Sequence, residues 1–153
     1  MEIFAKILIA MACIFAIYWT FRIKKVIPMI INFGMALGIL LVLIPALKLV
    51  NVGLYIYMGF VVLAFFHGLV DGDKKLSARL VICLMSAGIF VYWLWVLNHW
   101  AGNTILAPIF VLLIALAGIL TKTKLKSELG FLVVIAVDAI AILLTSTQLT
   151  MFD

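Results

Sequence analysis

Residues 53–79 read GLYIYMGFVVLAFFHGLVDGDKKLSAR, an apolar run of 18 residues that ends at a polar, basic segment. The run, 53–70, contains no Asp, Glu, Lys or Arg. Its length lies within the roughly 17 to 25 residues that a helix needs to cross the hydrocarbon core of a bilayer. Lys and Arg next to such a run are retained on the cytoplasmic side. This stretch therefore predicts a transmembrane helix whose C-terminal end faces the cytoplasm.

The same pattern of apolar run and short polar segment recurs along the chain. It predicts six transmembrane helices, at about 3–21, 28–47, 53–70, 80–97, 104–120 and 129–147. The loops between them are short, so helices that follow one another in the chain should be antiparallel neighbours. We therefore expect an all-α integral membrane protein, with a single domain that is a bundle of six transmembrane helices joined by short loops.

The composition excludes an ordinary soluble protein. Hydrophobic residues make up 69% of the 153 residues and charged residues only 11%, with a mean hydropathy of +1.41. Soluble domains carry about 25% charged residues. Six spans would use nearly the whole chain and leave no room for a soluble catalytic domain, and no catalytic or cofactor-binding motif is present. We predict a protein that is not an enzyme and has no cofactor, with an integral-membrane enzyme kept as a third interpretation.

The basic residues predict the orientation. Nine of the 11 Lys and Arg residues lie in three clusters, at 22–25, 74–79 and 122–126, which belong to alternate loops. Under the positive-inside rule these loops are cytoplasmic, so both termini should face outward from a bacterial inner membrane. The net charge of +5 is divided among separate loops and does not form one surface. We therefore exclude nucleic acid as a partner.

Asp138 is the main functional candidate, because it lies near the middle of the last span, in FLVVIAVDAIAILL. A carboxylate at the bilayer centre costs roughly 2.5 to 3.5 kcal/mol, so it must face protein or a wet cavity. Three interpretations stay open. Asp138 could form a buried ion pair with Lys6 near the outer end of the first span, or it could bind protons or ions during transport. It could also form a contact with another molecule in the membrane.

The second span carries Asn32, Gly34 and Gly38. The two glycines form a GxxxG pattern, which lets another helix approach closely. We predict a helix contact face here, either within the chain or between copies of it. Asn32 lies beside this face and is a second polar candidate for lining a transport path.

A polar cluster of His67, Asp71 and Asp73 lies at the cytoplasmic end of the third span. His67 and Asp71 are one helical turn apart and could bind a metal ion together with Asp73. Three side chains are the minimum for such a site, and no other His or Cys lies on that side. We therefore predict a turn at 71–73 and no metal.

Two classes of function remain. The first is a small transporter or channel subunit in which Asp138 is the intramembrane ionisable group. The second is a non-catalytic membrane partner, such as an immunity, exclusion or assembly protein, that recognises another membrane protein. In both cases the expected partners are the lipid bilayer and either further copies of this chain or other membrane proteins.

Overall fold

The computed structural model describes residues 2–44, 49–72, 74–121 and 125–149. All regular secondary structure in these ranges is helical, which confirms the prediction of an all-helical fold with six helices. Five helices are long and apolar enough to span a membrane, whereas α5 has only 15 residues, or about 22 Å of helix. The helices are α1 (Glu2–Thr20), α2 (Val26–Leu43), α3 (Val50–Val70), α4 (Leu76–Leu97), α5 (Leu106–Leu120) and α6 (Leu129–Leu149).

The start of α4 differs from its predicted position. The helix begins at Leu76, four residues before the expected start at residue 80. Arg79 lies in this added turn and donates from Nε to the carbonyl oxygen of Gly68 at 3.2 Å, and it makes a second contact with the carbonyl oxygen of Leu69. The helix therefore extends into the basic segment because its arginine binds carbonyl groups at the C-terminal end of α3.

The start of α5 is also displaced. The helix begins at Leu106, two residues after the expected start at residue 104. The side chain of Asn103 accepts a hydrogen bond from the backbone N–H of Ile105 at 3.1 Å, which forms a turn ahead of the helix. The predicted end of the second span, 45–47, lies outside the described residues.

The helices are arranged as a closed ring. Each helix contacts the next one along the chain, α1 contacts α6, and α6 also contacts α2 and α4. Half of the residues in the apolar stretch of α6 are buried, a larger share than in the other four long apolar helices. Because neighbours are antiparallel, residues 21–25, 71–72, 74–75, 121 and 125–128 lie at one end, which we call the basic end. Buried polar groups on α6 are therefore within reach of several helices.

At the GxxxG pattern, α2 packs closely against α3. A Cβ atom added to Gly38 would lie 2.7 Å from the backbone nitrogen of Tyr57 and 2.8 Å from the carbonyl oxygen of Gly53. A Cβ atom at Gly34 would lie 2.2 Å from ring atoms of Phe60. The glycine face predicted from the sequence thus packs against α3 of the same chain.

Candidate functional site

Asp138 lies at a junction of three helices. It is only 5% exposed, because α6 places it in the apolar interior of the bundle. The Tyr57 hydroxyl of α3 donates a hydrogen bond to its Oδ2 atom at 2.9 Å, and the Trp93 indole N–H of α4 donates to the same oxygen at 2.9 Å. Hydrogen bonds to a carboxylate are stronger than those between neutral groups. These two donors therefore stabilise a carboxylate where lipid alone could not.

A cavity of about 240 Å³ lies beside Asp138, in the half of the bundle opposite the basic end. Its walls come from α1, α2, α3, α4 and α6 and are mostly aliphatic or aromatic. A pocket with apolar walls and a few polar groups is the usual form of a small-molecule site. The lining residues are Ala5, Lys6, Ile9, Ile39, Val42, Leu43, Leu54, Tyr57, Tyr92, Trp93, Asp138, Ala141, Ile142 and Thr145.

Lys6 and Asp138 line this same cavity, which lies in the half of the bundle away from the basic end. Lys6 is on the exposed side of α1. The ion pair between them stays a prediction. Both side chains border the cavity, so an ion pair between them would form there.

Asn32 is not part of this site. It is fully buried on α2, and a Cβ atom added to Gly130 would lie 2.6 Å from its Nδ2 atom. Gly130 and Asp138 are eight residues apart on α6, or about 12 Å along the helix. The structure therefore places Asn32 near the basic end and Asp138 nearer the opposite end.

The layer between these two levels is apolar. On α6 it contains Phe131, Val134 and Ile135, which are at most 1% exposed. The Asn32 amide and the hydroxyl of buried Ser86 have no hydrogen-bond partner among the described residues. No continuous chain of hydrogen bonds thus joins the cavity to the basic end in the part of the chain that the structure describes.

A second buried polar cluster lies at the basic end. It consists of His67 from α3, Asp71 and Lys74 from the α3–α4 loop, and Glu128 just before α6. Glu128 is fully buried, and the His67 Nε2 atom lies 3.5 Å from its Oε1 and 3.7 Å from Asp71 Oδ2. The Lys74 ammonium lies 3.4 Å from Asp71 Oδ2 and forms a closer ion pair with Glu128. We call these four residues the basic-end cluster.

The pKa values of both carboxyl groups respond to this arrangement. Burial raises the pKa of Glu128, but contacts with His67, Lys74 and the Ser127 hydroxyl outweigh burial and lower it to about 2. Burial likewise raises the pKa of Asp71, and the nearby ammonium groups of Lys74 and Lys25 lower it by more. Both groups are therefore carboxylates at neutral pH.

The cluster balances its charges better than it satisfies its hydrogen bonds. The side chains of His67, Asp71 and Lys74 are 7%, 9% and 8% exposed. His67 Nε2, Asp71 Oδ2, Lys74 Nζ and Glu128 Oε2 are buried and have no well-aligned hydrogen-bond partner among the described residues. Opposite charges are thus close together, while several polar atoms keep unused binding capacity.

Sequence reasoning missed Glu128 and Lys74 as members of a site. Glu128 follows a basic segment and has the local pattern of a solvated loop residue. A signal was nevertheless present, since Glu128 is the only acidic residue between the fifth and sixth spans. Asp73, which we had grouped with His67 and Asp71, lies outside the described residues.

Comparison with known proteins gives no match: no family model, no curated protein and no solved structure resembles this chain.

Proposed function

We propose that this chain is a small transport protein of a bacterial inner membrane, with six spans and both termini outside. In this proposal Asp138 binds a proton or a small cation at the base of the cavity. The chain acts as a transporter or channel subunit, either as a homo-oligomer or with other membrane proteins.

The observation that carries the proposal is the buried Asp138 carboxylate on the wall of a cavity. Intramembrane carboxylates are costly, and they mark ion or proton sites in membrane proteins. Tyr57 and Trp93 both donate to Oδ2, so neither competes for the second oxygen, Oδ1. The two donors therefore hold the carboxylate in a fixed position through Oδ2, which suits reversible binding of a cation.

The direct test is ion uptake by purified protein in lipid vesicles. A potassium diffusion potential is applied with valinomycin, and entry of protons is followed by a trapped pH dye and entry of Na⁺ by radioactive sodium. We expect uptake of one of the two ions by the wild type. Asp138→Asn should fold, because the amide is nearly isosteric and cheaper to bury, but should lose uptake.

A matched control is His99→Asn, which removes an exposed titratable side chain outside the cavity lining. Asn tolerates the positive φ of 50° found at His99, so this variant should keep its fold and its uptake. Uptake by Asp138→Asn equal to that of wild type would exclude Asp138 as the ion-binding group. Uptake no greater than that of protein-free vesicles would reject transport of these ions.

The apolar layer between Asn32 and Asp138 favours a second candidate function. A transporter needs water-accessible groups near the midplane, and this layer contains buried Phe131, Val134 and Ile135 instead. A membrane partner protein of the immunity, exclusion or assembly class needs only a stable closed bundle. Absence of ion uptake together with a well-folded wild-type protein would favour this alternative.

The orientation has its own test. In a background with Cys13→Ala and Cys83→Ala, single cysteines at Lys75 and at Asn51 are labelled with a membrane-impermeant thiol reagent in intact cells. Cysteine at Asn51 should react and cysteine at Lys75 should not, because the basic loops are expected to be cytoplasmic. The reverse labelling pattern would overturn the proposed topology.

A further inference from the structure

We propose that His67, Asp71 and Glu128 form a binding site for a divalent transition-metal ion, which takes the place of the Lys74 ammonium. The three side chains come from the end of α3, the α3–α4 loop and the start of α6. One ligand atom from each lies within 4.8 Å of the other two. The site is independent of the proposed transport function, since Glu128 and Asp138 are ten residues, or about 15 Å of helix, apart.

The separations suit a metal ion. His67 Nε2 lies 3.5 Å from Glu128 Oε1 and 3.7 Å from Asp71 Oδ2. With metal–ligand bonds of about 2.1 Å, these separations correspond to angles of about 110 to 125° at a common metal, near the tetrahedral value. The Asp71 and Glu128 oxygens lie within 4.8 Å of each other. Three protein ligands would leave a fourth position for water, as in other three-ligand zinc sites.

A second observation points to a ligand at the same place. The side chains of His67 and Asp71 are more than nine-tenths buried and Glu128 is fully buried. His67 Nε2 and Asp71 Oδ2 lie within ion-pair distance of charged neighbours but form no aligned hydrogen bond, and Glu128 Oε2 has no hydrogen-bond partner among the described residues. Buried polar atoms are normally hydrogen-bonded. An ion coordinated by all three side chains would satisfy these atoms better than the present contacts do.

Lys74 occupies the position that the ion would need. Its ammonium contacts both Asp71 and Glu128, so it acts as the cation of the cluster. The two carboxylates are balanced by Lys74 and by Lys25, whose Nζ lies 3.7 Å from Asp71 Oδ2. A divalent ion would by itself balance the two carboxylate charges, so Lys74 and the half-exposed Lys25 would both be released toward solvent. Metal binding is thus an exchange of two ammonium groups for one divalent ion, which preserves neutrality.

An entry path is present. A groove of about 560 Å³ lies between the start of α2 and the end of α3. His67, Asp71 and Lys25 line it, so the groove reaches two of the three ligands. One imidazole with two carboxylates favours Zn²⁺, Fe²⁺ or Mn²⁺ over Mg²⁺ or Ca²⁺, which bind oxygen ligands almost entirely.

The test uses full-length protein purified with an affinity tag that contains no histidine and treated with EDTA. Co²⁺ binding is followed by its visible absorption bands, and Zn²⁺ affinity by competition with a chromophoric chelator. We expect one ion per chain. His67→Asn should weaken Zn²⁺ binding by at least about 100-fold, because loss of a second-shell partner alone costs 10- to 100-fold. His99→Asn is the matched control and should bind as the wild type does.

A second pair of variants keeps the proposal testable if His67→Asn does not fold. Lys74→Met removes the competing ammonium and should bind Zn²⁺ more tightly than the wild type, with a larger rise in Tm on addition of Zn²⁺. Lys75→Met removes the neighbouring exposed lysine and should behave as the wild type does. The proposal is overturned if neither wild type nor Lys74→Met binds Zn²⁺ saturably, if His67→Asn binds normally, or if both lysine variants respond equally.

Discussion

Replacing Gly38 by alanine tests the α2–α3 contact. The new Cβ atom would lie 2.7 Å from the Tyr57 backbone nitrogen and 2.8 Å from the Gly53 carbonyl oxygen, so the two helix backbones must separate. Overpacking of this kind costs about 1 to 3 kcal/mol. Alanine also has a higher helix propensity than glycine by about 1 kcal/mol, which offsets part of that cost.

A matched control removes the propensity contribution. Gly59 lies in α3, and a Cβ atom there would have no other atom within 4 Å. Gly59→Ala therefore gains helix propensity without a clash and should be stabilising by up to about 1 kcal/mol. The difference in unfolding free energy between Gly38→Ala and Gly59→Ala therefore gives the cost of the clash alone. We expect this difference to be about 1 to 3 kcal/mol, with Gly38→Ala the less stable variant.

The assay can use a thiol already in the protein. Cys13 is fully buried and free, so it should react with a fluorogenic thiol reagent only when the bundle opens on heating. Gly38→Ala should melt below Gly59→Ala by several degrees, at about 2 to 4 °C per kcal/mol for a chain of this size. Equal melting temperatures for the two variants would show that α2 and α3 do not approach as closely as described.

Three further outcomes are expected. Tyr57→Phe should destabilise by about 1.5 to 3 kcal/mol through loss of a hydrogen bond to the Asp138 carboxylate, whereas Tyr55→Phe, at an exposed position, should change the melting temperature little. The pKa of Glu128 in the folded protein is lowered from 4.5 to about 2, so its carboxylate should contribute stability that is complete above pH 4.5 and lost as the pH falls toward 2. In metal-free buffer, the Tm of Glu128→Gln should therefore change less with pH over that range than the Tm of the wild type. Ser86→Ala should be neutral or stabilising by thermal melting, because the buried hydroxyl has no partner among the described residues, and clear destabilisation would show that it is hydrogen-bonded.

The helices were predictable because each is encoded locally. An apolar run of spanning length specifies a helix without knowledge of its neighbours, so all six were found and only their ends shifted. Those ends depend on tertiary contacts. The start of α4 was misplaced because Arg79 binds carbonyl groups of α3, a helix that precedes it in the chain.

The candidate site was predictable only in part, for the same reason. Asp138 was identified because a charge within an apolar run is a local signal. Its partners Tyr57 and Trp93 are 81 and 45 residues away, and nothing in the sequence distinguishes them from other aromatic residues near span ends. Glu128 was missed because its burial depends on Lys74 reaching across from another loop.

The position of α6 in the ring has a consequence for synthesis and membrane insertion. This helix follows the other five along the chain, yet it carries Asp138 and follows Glu128 directly. Without α6, the Tyr57 and Trp93 donors lack their acceptor, Lys74 lacks its closest carboxylate, and the α1 surface that α6 covers is exposed. In the proposed bilayer setting, a nascent chain halted after α5 would thus present unpaired polar groups within or beside the membrane. Those groups give chaperones and proteases a physical feature by which to recognise a chain without α6.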